Sequence, residues 1–343
     1  MKTLAASTHG RQASLSSAQL ACTRALPSTS SVSAVEAPSP AAEEPRLRTR
    51  GYWSQSLRRL ASQPATLAAL AVLLVLVVTG LLANELAPER WNHIDLSPRW
   101  QNHPPTLAEN HFLGTDNIGR DVLVRTIWGL HYTVQTALVG ALAATVFGVA
   151  VGGFAGFYGR SVDTLLMRLV DLVTGFPVIV LMIFAFALLE PVTVWTATLV
   201  FSLAMWPFVA RAVRARIASL MPEEFVQAAR SLGATDRRIF FRHILPNAAG
   251  TVIVVATAVL GQIVLIEATA EFFGFGVVSL IRPTLGNLIA ETVSSGIGAY
   301  SALSTGWWVW VSPSVVLVLI LICVNLVGDG FDAALNPQAT ARR

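Results

Sequence analysis

The sequence contains little charge, two cysteines and a single lysine, Lys2. Asp, Glu, Lys and Arg together make up 13% of the 343 residues, whereas hydrophobic residues make up 54% and the mean hydropathy is +0.60. This is more apolar surface than one soluble core uses. Cys22 and Cys323 have no His or Cys neighbours at metal-ligand spacing, so neither a disulfide framework nor a zinc site is indicated. Composition predicts a polytopic membrane protein.

Catalytic motifs are missing as well. The sequence has no GxxxxGK[ST] phosphate-binding loop, so we do not expect the chain to hydrolyse ATP itself. The six histidines are scattered over the tail and the loops, and no nucleophile, base or metal set converges. We therefore predict no catalytic residue and no metal ligand. The arginines cluster between apolar runs instead of forming one stripe, which favours topology signals over nucleic-acid binding.

The N-terminal segment, residues 1–62, is rich in Ser, Ala, Thr and Pro and lacks a sustained apolar period. Such a segment cannot bury enough surface to offset its chain entropy, so it is predicted to be a disordered tail. A transit peptide is an alternative interpretation, because the first 35 residues have no acidic side chain. A lipoprotein signal is not supported, since Cys22 follows no apolar run.

Six apolar runs follow the tail. A helix needs about 20 apolar residues to cross a hydrocarbon core of about 30 Å. The fold class predicted from these runs is an all-α polytopic membrane protein with six transmembrane helices. The predicted spans are residues 64–83, 132–157, 162–189, 192–213, 249–275 and 310–326.

The distribution of arginine predicts the orientation of these spans. Arginines remain on the cytoplasmic side of a membrane. Five of them lie shortly before the first span, from Arg46 to Arg59. Seven lie from Arg211 to Arg242, at the end of the fourth span and in the loop that follows it, whereas the loop after the fifth span holds only Arg282. We expect a multi-pass protein of the plasma or inner membrane with both termini in the cytoplasm. Segment 211–247 would then be cytoplasmic, and loops 84–130 and 277–309 would be external.

Glycine is frequent in the second span and at its exit, which permits close helix packing. These glycines are Gly140, Gly148, Gly152, Gly153 and Gly156.

The cytoplasmic stretch QAARSLGATDRRIFFRHILPN, residues 227–247, carries helix signals at both ends. Pro222 suits the first position of a helix, and Gly233 suits the left-handed conformation that ends one. Thr235 is placed to cap a second helix that begins at Asp236. Four residues fall at i, i+3, i+4 and i+7 on the first helix and predict a narrow apolar face. They are Phe225, Ala228, Ala229 and Leu232.

Pattern alone leaves two interpretations of this face: a helix that lies on the membrane surface, or one that docks into a partner. The motif Ala228-Ala229-x-x-x-Gly233, followed by Leu245-Pro246-Asn247, resembles the EAA loop of ABC importer permeases. In that family the loop is a coupling helix that sits in a cleft of the ATP-hydrolysing subunit. Gln227 stands where the family has Glu, and His243 stands where it often has Ile. The resemblance implies a coupling segment at 222–246, with ATPase docking through Phe225, Gln227, Ala228, Ala229, Leu232, Gly233, Arg237, Leu245 and Pro246.

Three further blocks resemble the C-type permease subunit of dipeptide and oligopeptide importers. They are LGTDNIGRDVLVRTIWG at 113–129, GFYGRSVDTLLMRLVDLVTGFP at 156–177, and EATAEFFGFGV at 267–277 together with NLVGDGFDAALNP at 325–337. The resemblance covers most of residues 64–337. It implies a permease domain at 63–335, followed by a short C-terminal tail at 336–343, that forms half of a peptide translocation pathway.

The same resemblance implies the partners. These are a homologous second permease, two ATP-binding subunits that are identical or different, an extracytoplasmic substrate-binding protein and the lipid bilayer, with no nucleic acid. No cofactor is expected on this chain, because ATP and Mg²⁺ would be bound by the partner ATPases. Related permeases carry nickel chelates, glutathione and other small solutes, so these cargoes stay open. An ion-coupled secondary transporter and a membrane enzyme are the alternatives from other classes.

The block at 113–129 predicts an external elbow before the second span. Asp116 and Gly119 favour a turn, and Arg120 with Asp121 begins an amphipathic helix. The alternative is a docking surface for the binding protein.

Three further charged side chains lie in or near the predicted third span. They are Asp163, Arg168 and Asp171, of which the last two are expected to pair with each other.

Two acidic residues, Glu267 and Glu271, lie one turn apart near the outer end of the fifth span and therefore share a face. One interpretation is that they line the pathway and contact the ammonium group of a substrate. The other is that they are solvated carboxylates in an external vestibule.

The predicted orientation can be tested by cysteine labelling. Cysteines introduced at Ser97 and Ser231 should differ in intact cells, because only the first position is expected outside. An impermeant thiol reagent should label the first site alone, and labelling of the second would overturn the orientation.

Overall fold

The structure is a computed structural model that describes residues 52–87, 94–107, 111–189, 192–275, 283–294 and 306–335. In these ranges the regular structure is helical, which confirms the all-α class. The helices are α1 Tyr52–Ala61, α2 Pro64–Leu81, α3 Ala83–Leu86, α4 Val122–Tyr158, α5 Arg160–Thr174, α6 Val178–Leu188, α7 Val194–Leu220, α8 Glu224–Ser231, α9 Asp236–Ile239, α10 Leu245–Phe272, α11 Leu285–Ser294 and α12 Trp307–Leu335. A π-helical turn, Phe240–Ile244, joins α9 to α10.

Five helical segments in the described part of the chain are long and apolar enough to cross a membrane. They are α2, α4, α7, α12 and the continuous run Asp236–Phe272 that ends in α10. The pair α5 and α6 passes the same criteria together, but the two helices are bent by 83°. The described residues therefore hold five candidate spans, or six if the bent pair counts as one.

The third predicted span, 162–189, is thus not one straight helix. The break lies at Gly175, Phe176 and Pro177, between the end of α5 and the start of α6. Proline disfavours the helical conformation of the residue that precedes it, and glycine loses more conformational entropy in a helix than other residues do. This triplet therefore interrupts the helical hydrogen bonds between α5 and α6.

The charges of α5 are paired with α7 instead of with each other. The Asp163 carboxylate accepts hydrogen bonds from Nε and Nη2 of Arg214, and the bond from Nη2 is 2.6 Å long. Asp171 Oδ1 accepts from Arg211 Nη2 at 2.9 Å. The expected pairing of Arg168 with Asp171 is therefore wrong, because Arg211 of α7 reaches the Asp171 carboxylate across the helix interface.

Several boundaries differ from those expected, and α7 and α12 extend beyond their predicted spans. The second span begins at Val122 instead of residue 132, so α4 has 37 residues and a length of about 55 Å. Helix α1 lies inside the segment predicted to be disordered, and α11 lies inside the predicted loop 277–309. The rest of that tail, residues 1–51, and the C-terminal tail, 336–343, lie outside the described residues.

Helices α4 and α7 form the centre of the fold through a row of glycines on α4. A Cβ atom on Gly152 would lie 2.2 Å from the carbonyl oxygen of Ala210. A Cβ atom on Gly148 would lie 2.8 Å from that of Trp206, and one on Gly156 would lie 2.8 Å from that of Arg214. The two backbones therefore touch over several turns, and the expectation of close packing at these three glycines is confirmed.

This contact predicts a specific sensitivity. Gly152→Leu should lower the yield of folded protein strongly, because overpacking a tight interface costs about 1–3 kcal/mol or more. Val146→Leu is the matched control, since Val146 lies on the same helix and is exposed. The measurement is the monodisperse yield of each variant after purification at equal expression. Equal yields for the two variants would contradict the importance of this contact.

Candidate functional site

The predicted coupling segment is a pair of short helices joined by a tight turn. Helix α8 ends with Gly233 at φ +75°. Ala234 N–H donates to Ala229 O at 3.1 Å and Gly233 N–H donates to Arg230 O at 2.9 Å. This pair of bonds is a Schellman motif, which requires the left-handed residue that glycine supplies. The expected role of Gly233 is confirmed.

The start of each short helix differs in detail from the prediction. Helix α8 begins at Glu224 with Glu223 as its cap, so Pro222 lies just before the helix and not at its first position. Thr235 occupies the cap position of α9, but its side chain makes no capping hydrogen bond. The backbone geometry of the helix-turn-helix is as expected, whereas its N-terminal side-chain chemistry is not.

The predicted apolar face of α8 is divided between two environments. Ala229 is buried with Val226 in the same core as Ile239 and Ile244 of the following turn. Phe225, Ala228 and Leu232 are exposed, and Leu232 is 88% exposed. The helix is therefore anchored through Val226 and Ala229 and leaves an exposed apolar surface beside them. Ala229 belongs to the anchor and not to the exposed surface.

The remaining residues of the predicted docking set lie around this helix. Gln227 is exposed and donates through Nε2 to Met221 O at 3.1 Å. Arg237 lines a shallow depression of about 400 Å³ together with Thr235, Arg238 and Phe241.

At the start of the next span, Leu245 is half-buried and Pro246 is exposed. Pro246 is the second residue of α10 and directly follows the π-helical turn Phe240–Ile244. The depression and the exposed side of α8 thus both belong to the coupling segment.

The predicted elbow before α4 carries three buried charged side chains, Asp116, Arg120 and Arg125, which meet the half-buried Glu291 of α11. We call these four side chains the ionic quartet. Asp116 Oδ2 accepts from Arg120 Nε at 2.7 Å and from Arg125 Nη1 at 2.9 Å. Glu291 Oε2 lies 3.0 Å from Arg120 Nη2 and 2.8 Å from Arg125 Nη2. Each guanidinium therefore contacts both carboxylates, and the formal charges balance.

Backbone contacts hold the elbow in the shape that the quartet needs. Asp116 Oδ1 accepts from the N–H groups of Ile118 and Arg120 at 3.0 and 2.9 Å. Gly119 has φ +78°, and a Cβ atom there would lie 2.1 Å from the carbonyl oxygen of Asp95. Only glycine fits this turn. Asp116 and Arg120 are buried, which supports the elbow interpretation over a docking surface formed by these side chains.

The elbow also sets the start of α4 and contacts α12. Asp121 caps α4 by accepting from Val124 N–H at 3.1 Å, and its Oδ2 lies 2.9 Å from His111 Nδ1. Trp308 at the start of α12 donates from Nε1 to Thr115 O at 3.0 Å. The elbow therefore links the first turns of α4 and α12.

Glu267 and Glu271 are both 1% exposed, so the interpretation as solvated carboxylates is wrong for this structure. The Glu271 carboxylate accepts from the hydroxyl of Thr284, just before α11. The Glu267 carboxyl is hydrogen-bonded to Thr136 of α4. The chain's own helices thus enclose both residues.

Sequence reasoning missed Arg125, Glu291 and Val226. Arg125 follows the quoted Asp116-to-Asp121 pattern by one helical turn, which is a usable signal. Glu291 lies 166 residues further along the chain, and no local pattern connects it to the elbow. Within the described ranges, no three His, Cys, Asp or Glu side chains come together in a way that could hold a metal ion.

Comparisons with known proteins agree with this architecture. Residues 148–340 match the family described as "Binding-protein-dependent transport system inner membrane component". The oligopeptide transport system permease protein OppC of Mycobacterium tuberculosis is 34% identical over 295 residues, which cover 84% of this chain and 95% of OppC. The dipeptide transport system permease protein DppC of Alkalihalophilus pseudofirmus is 29% identical over 83% of this chain and 90% of its own.

A solved chain of the MetNI methionine ABC transporter, in an inward-facing conformation, shares the fold. Its TM-score is 0.50 at 22% sequence identity, over 63% of this chain and 96% of that one.

We expect that replacing a charged member of the ionic quartet by a neutral residue destabilises the folded protein. Asp116→Asn should lower the folded yield, because removing one partner of a buried ion pair costs about 3–5 kcal/mol. Glu85→Gln is the control, since Glu85 is an exposed carboxylate on α3. Yield and thermal unfolding of the purified protein would be compared. A normal yield of Asp116→Asn together with lost docking of a binding protein would instead support the docking-surface interpretation.

Proposed function

Because this chain belongs to the family of binding-protein-dependent transport system inner membrane components, we propose that it is one permease subunit of an ATP-driven importer of dipeptides or oligopeptides. The observation that carries this proposal is the 34% identity to OppC over 84% of the chain. Similarity over nearly the whole of both chains favours a shared role as well as a shared fold. A second, homologous permease would complete the translocation pathway.

ATP hydrolysis would be performed by two partner subunits that bind ATP and Mg²⁺. The sequence supports this division of labour, because it has no phosphate-binding loop of the GxxxxGK[ST] type. An extracytoplasmic binding protein would deliver the peptide. The permease would be a multi-pass protein of the plasma membrane, and its proposed orientation places both termini and the coupling segment in the cytoplasm, where ATP is available.

The exposed side of α8 is the proposed contact with the ATPase. An exposed apolar surface at the tip of a cytoplasmic segment is suited to a partner's cleft. Phe225, Ala228 and Leu232 supply that surface, while Val226 and Ala229 hold the helix against the permease core. Because α8 is packed against the permease core, a displacement of α8 by the ATPase would move the core with it. Closure of the ATPases would then move the spans as rigid bodies and alternate the access of the pathway.

Glu267 and Glu271 remain the proposed cargo-facing carboxylates only if α11 moves during the transport cycle. In the present conformation Thr284 and Asn287, at the start of α11, cover them. A free peptide carries an ammonium group that two carboxylates would attract. The contact would therefore form in a state in which α11 has withdrawn.

The cargo can be identified directly. The complete importer, purified with its binding protein, should release peptides on denaturation, and mass spectrometry of the released ligands would identify them. Uptake of a labelled dipeptide or tetrapeptide should be competed by unlabelled peptides and not by glutathione or a nickel chelate. Competition by either of the last two alone would replace the peptide assignment with that solute.

The coupling role predicts an effect of the exposed α8 surface. Leu232→Glu should reduce uptake and ATPase co-purification, because a carboxylate without a partner in a desolvated contact costs several kcal/mol. Leu232→Met keeps an apolar side chain of similar volume and should retain both activities. The measurement is uptake and retained ATPase in membranes with matched permease levels. Full transport by Leu232→Glu would mean that α8 is only a surface helix.

Ala229→Glu provides a second, distinguishable result. Ala229 is packed in the permease core, so this variant should also lower the folded yield of the permease itself. Leu232→Glu should not, since Leu232 makes little contact within the chain. Loss of ATPase without loss of folding is therefore expected for Leu232→Glu alone.

A further inference from the structure

A buried polar cluster lies where α10, α4 and α11 meet. Glu267 and Glu271 lie one turn apart on α10, Thr136 belongs to α4, and Thr284 and Asn287 lie at the start of α11. All five side chains are buried. The cluster is separate from the ionic quartet and from the coupling segment.

The hydrogen bonds of this cluster leave acceptors without donors. Thr284 Oγ1 donates to Glu271 Oε2, and the Asn287 N–H donates to the Glu271 carboxyl. The carboxyl of Glu267 is bonded to Thr136. Among the described residues, Glu267 Oε2 and Asn287 Oδ1 are buried and have no hydrogen-bond partner. Two oxygens therefore lack a donor at a site that water does not reach.

The charge of the cluster is also uncompensated. In the described part of the chain, no Arg or His forms a salt bridge with either carboxyl, and each carboxyl is within range of the other's charge. Two ionised carboxylates, buried and one turn apart, would each suffer desolvation and mutual repulsion. One positive charge would relieve both.

The charged groups of the neighbouring helices are used elsewhere. On α4, Arg125 binds Asp116 and Glu291, and His131 Nδ1 is 2.8 Å from Gly80 O. Glu291 of α11 is part of the quartet. The charged residues of α7 and α12 lie toward the opposite end of α10: Arg211, Arg214, Arg216, Asp329 and Asp332.

The position of these residues follows from helix contacts. Gly261 of α10 lies against Val324 of α12, and Thr257 of α10 lies against Gly328 of α12. The two helices are therefore antiparallel, and Asp329 lies near the end of α10 that is opposite to Glu267. Likewise, Gly140 of α4 contacts Ile263, whereas Gly156 contacts the Arg214 backbone. None of the charges at that end compensates the pair.

A metal ion fits this cluster poorly. Hard cations such as Ca²⁺ and Mg²⁺ take six or more oxygen ligands. In the described ranges no third His, Cys, Asp or Glu joins these two carboxyls in a group that could hold a metal ion. The hydroxyls of Thr136 and Thr284 already donate to the carboxyls, and the acceptors without any partner are Glu267 Oε2 and Asn287 Oδ1. A proton needs one oxygen to hold it and one acceptor to receive its hydrogen bond. The open acceptors match that requirement.

We propose that Glu267 and Glu271 bind one proton in common, and that this proton resides on Glu267 and supplies the donor that the cluster lacks. The proton comes from water, and the pair then carries a single negative charge on Glu271, where two donors already converge. Because Thr284 and Asn287 belong to the start of α11, the protonated pair fastens α11 to α10 and α4. Loss of the proton restores the repulsion between the two carboxyls and weakens this contact, while Glu291 still holds α11 at the elbow. This site rests on the described hydrogen bonds and does not depend on the nature of the cargo.

Infrared spectroscopy of the assembled, full-length transporter tests the proposal. At neutral pH the wild type should show the carbonyl stretching band of a protonated carboxylic acid, which disappears as the pH is raised. Glu267→Gln should lose this band, because its amide supplies a donor without a titrating proton. Glu85→Gln, which alters an exposed carboxylate, should retain it.

Thermal unfolding provides the second measurement. The unfolded chain has already released its carboxyl protons at neutral pH, so a proton held by the folded state is a stabilising ligand that is lost as the pH rises. The unfolding midpoint of the wild type should fall between about pH 6 and about pH 9. Glu267→Gln should show a smaller fall, and Glu85→Gln should follow the wild type.

Three results would overturn the proposal. The first is the absence of a carboxylic acid band in the wild type at neutral pH. The second is an undiminished band in Glu267→Gln. The third is a midpoint that rises with sodium or another metal ion and not with proton concentration, which would assign the site to a metal. If Glu267→Gln does not assemble, the pH titration of the wild-type band decides the question alone.

Discussion

A charge that leaves water must be compensated where it lies, and much of this structure follows from that constraint. The ionic quartet satisfies it within the chain. Asp116 contacts both Arg120 and Arg125, and Glu291 contacts the same two guanidinium groups from α11. Because Asp116 belongs to the elbow and Glu291 belongs to α11, both arginine charges are balanced only when α11 lies against the elbow. Electrostatic balance thus fixes a tertiary contact.

The same constraint shapes the other charged pairs, with different solutions. Asp163 of α5 is matched by Arg214 of α7, and Asp171 by Arg211, so these pairs hold the bent segment to the central helix. Since the Asp171 pair is exposed, it contributes little to stability by itself. Among the described residues no cation pairs with the buried Glu267 and Glu271, and the proton that we propose balances them instead. Helix packing around these sites depends on glycine, because only the absence of side chains lets α4 and α7 touch.

The sequence predicted features that depend on local pattern. Apolar runs indicated the spanning helices, the frequency of glycine in and after the second span indicated close packing, and Gly233 indicated the end of α8. Each of these rests on residues within a few turns of one another. Glu291 was not predictable as a partner of Arg125, since 166 residues separate them and only the fold brings them together. The break after α5 was signalled by Gly175 and Pro177, but an apolar run on both sides of it concealed the change of direction.

The apolar face of α8 shows why burial cannot be assigned from periodicity alone. A helix that packs on its own core and on a partner has two apolar sides, and the period of 3.6 residues does not say which side is inside. Phe225 and Leu232 are larger than Val226 and Ala229, yet the smaller residues are buried. Because Val226 and Ala229 are small, the backbone of α8 lies close to the core formed with Ile239 and Ile244. The larger residues remain exposed on the surface that we propose for the ATPase, and α8 packs against the π-helical turn that continues into α10.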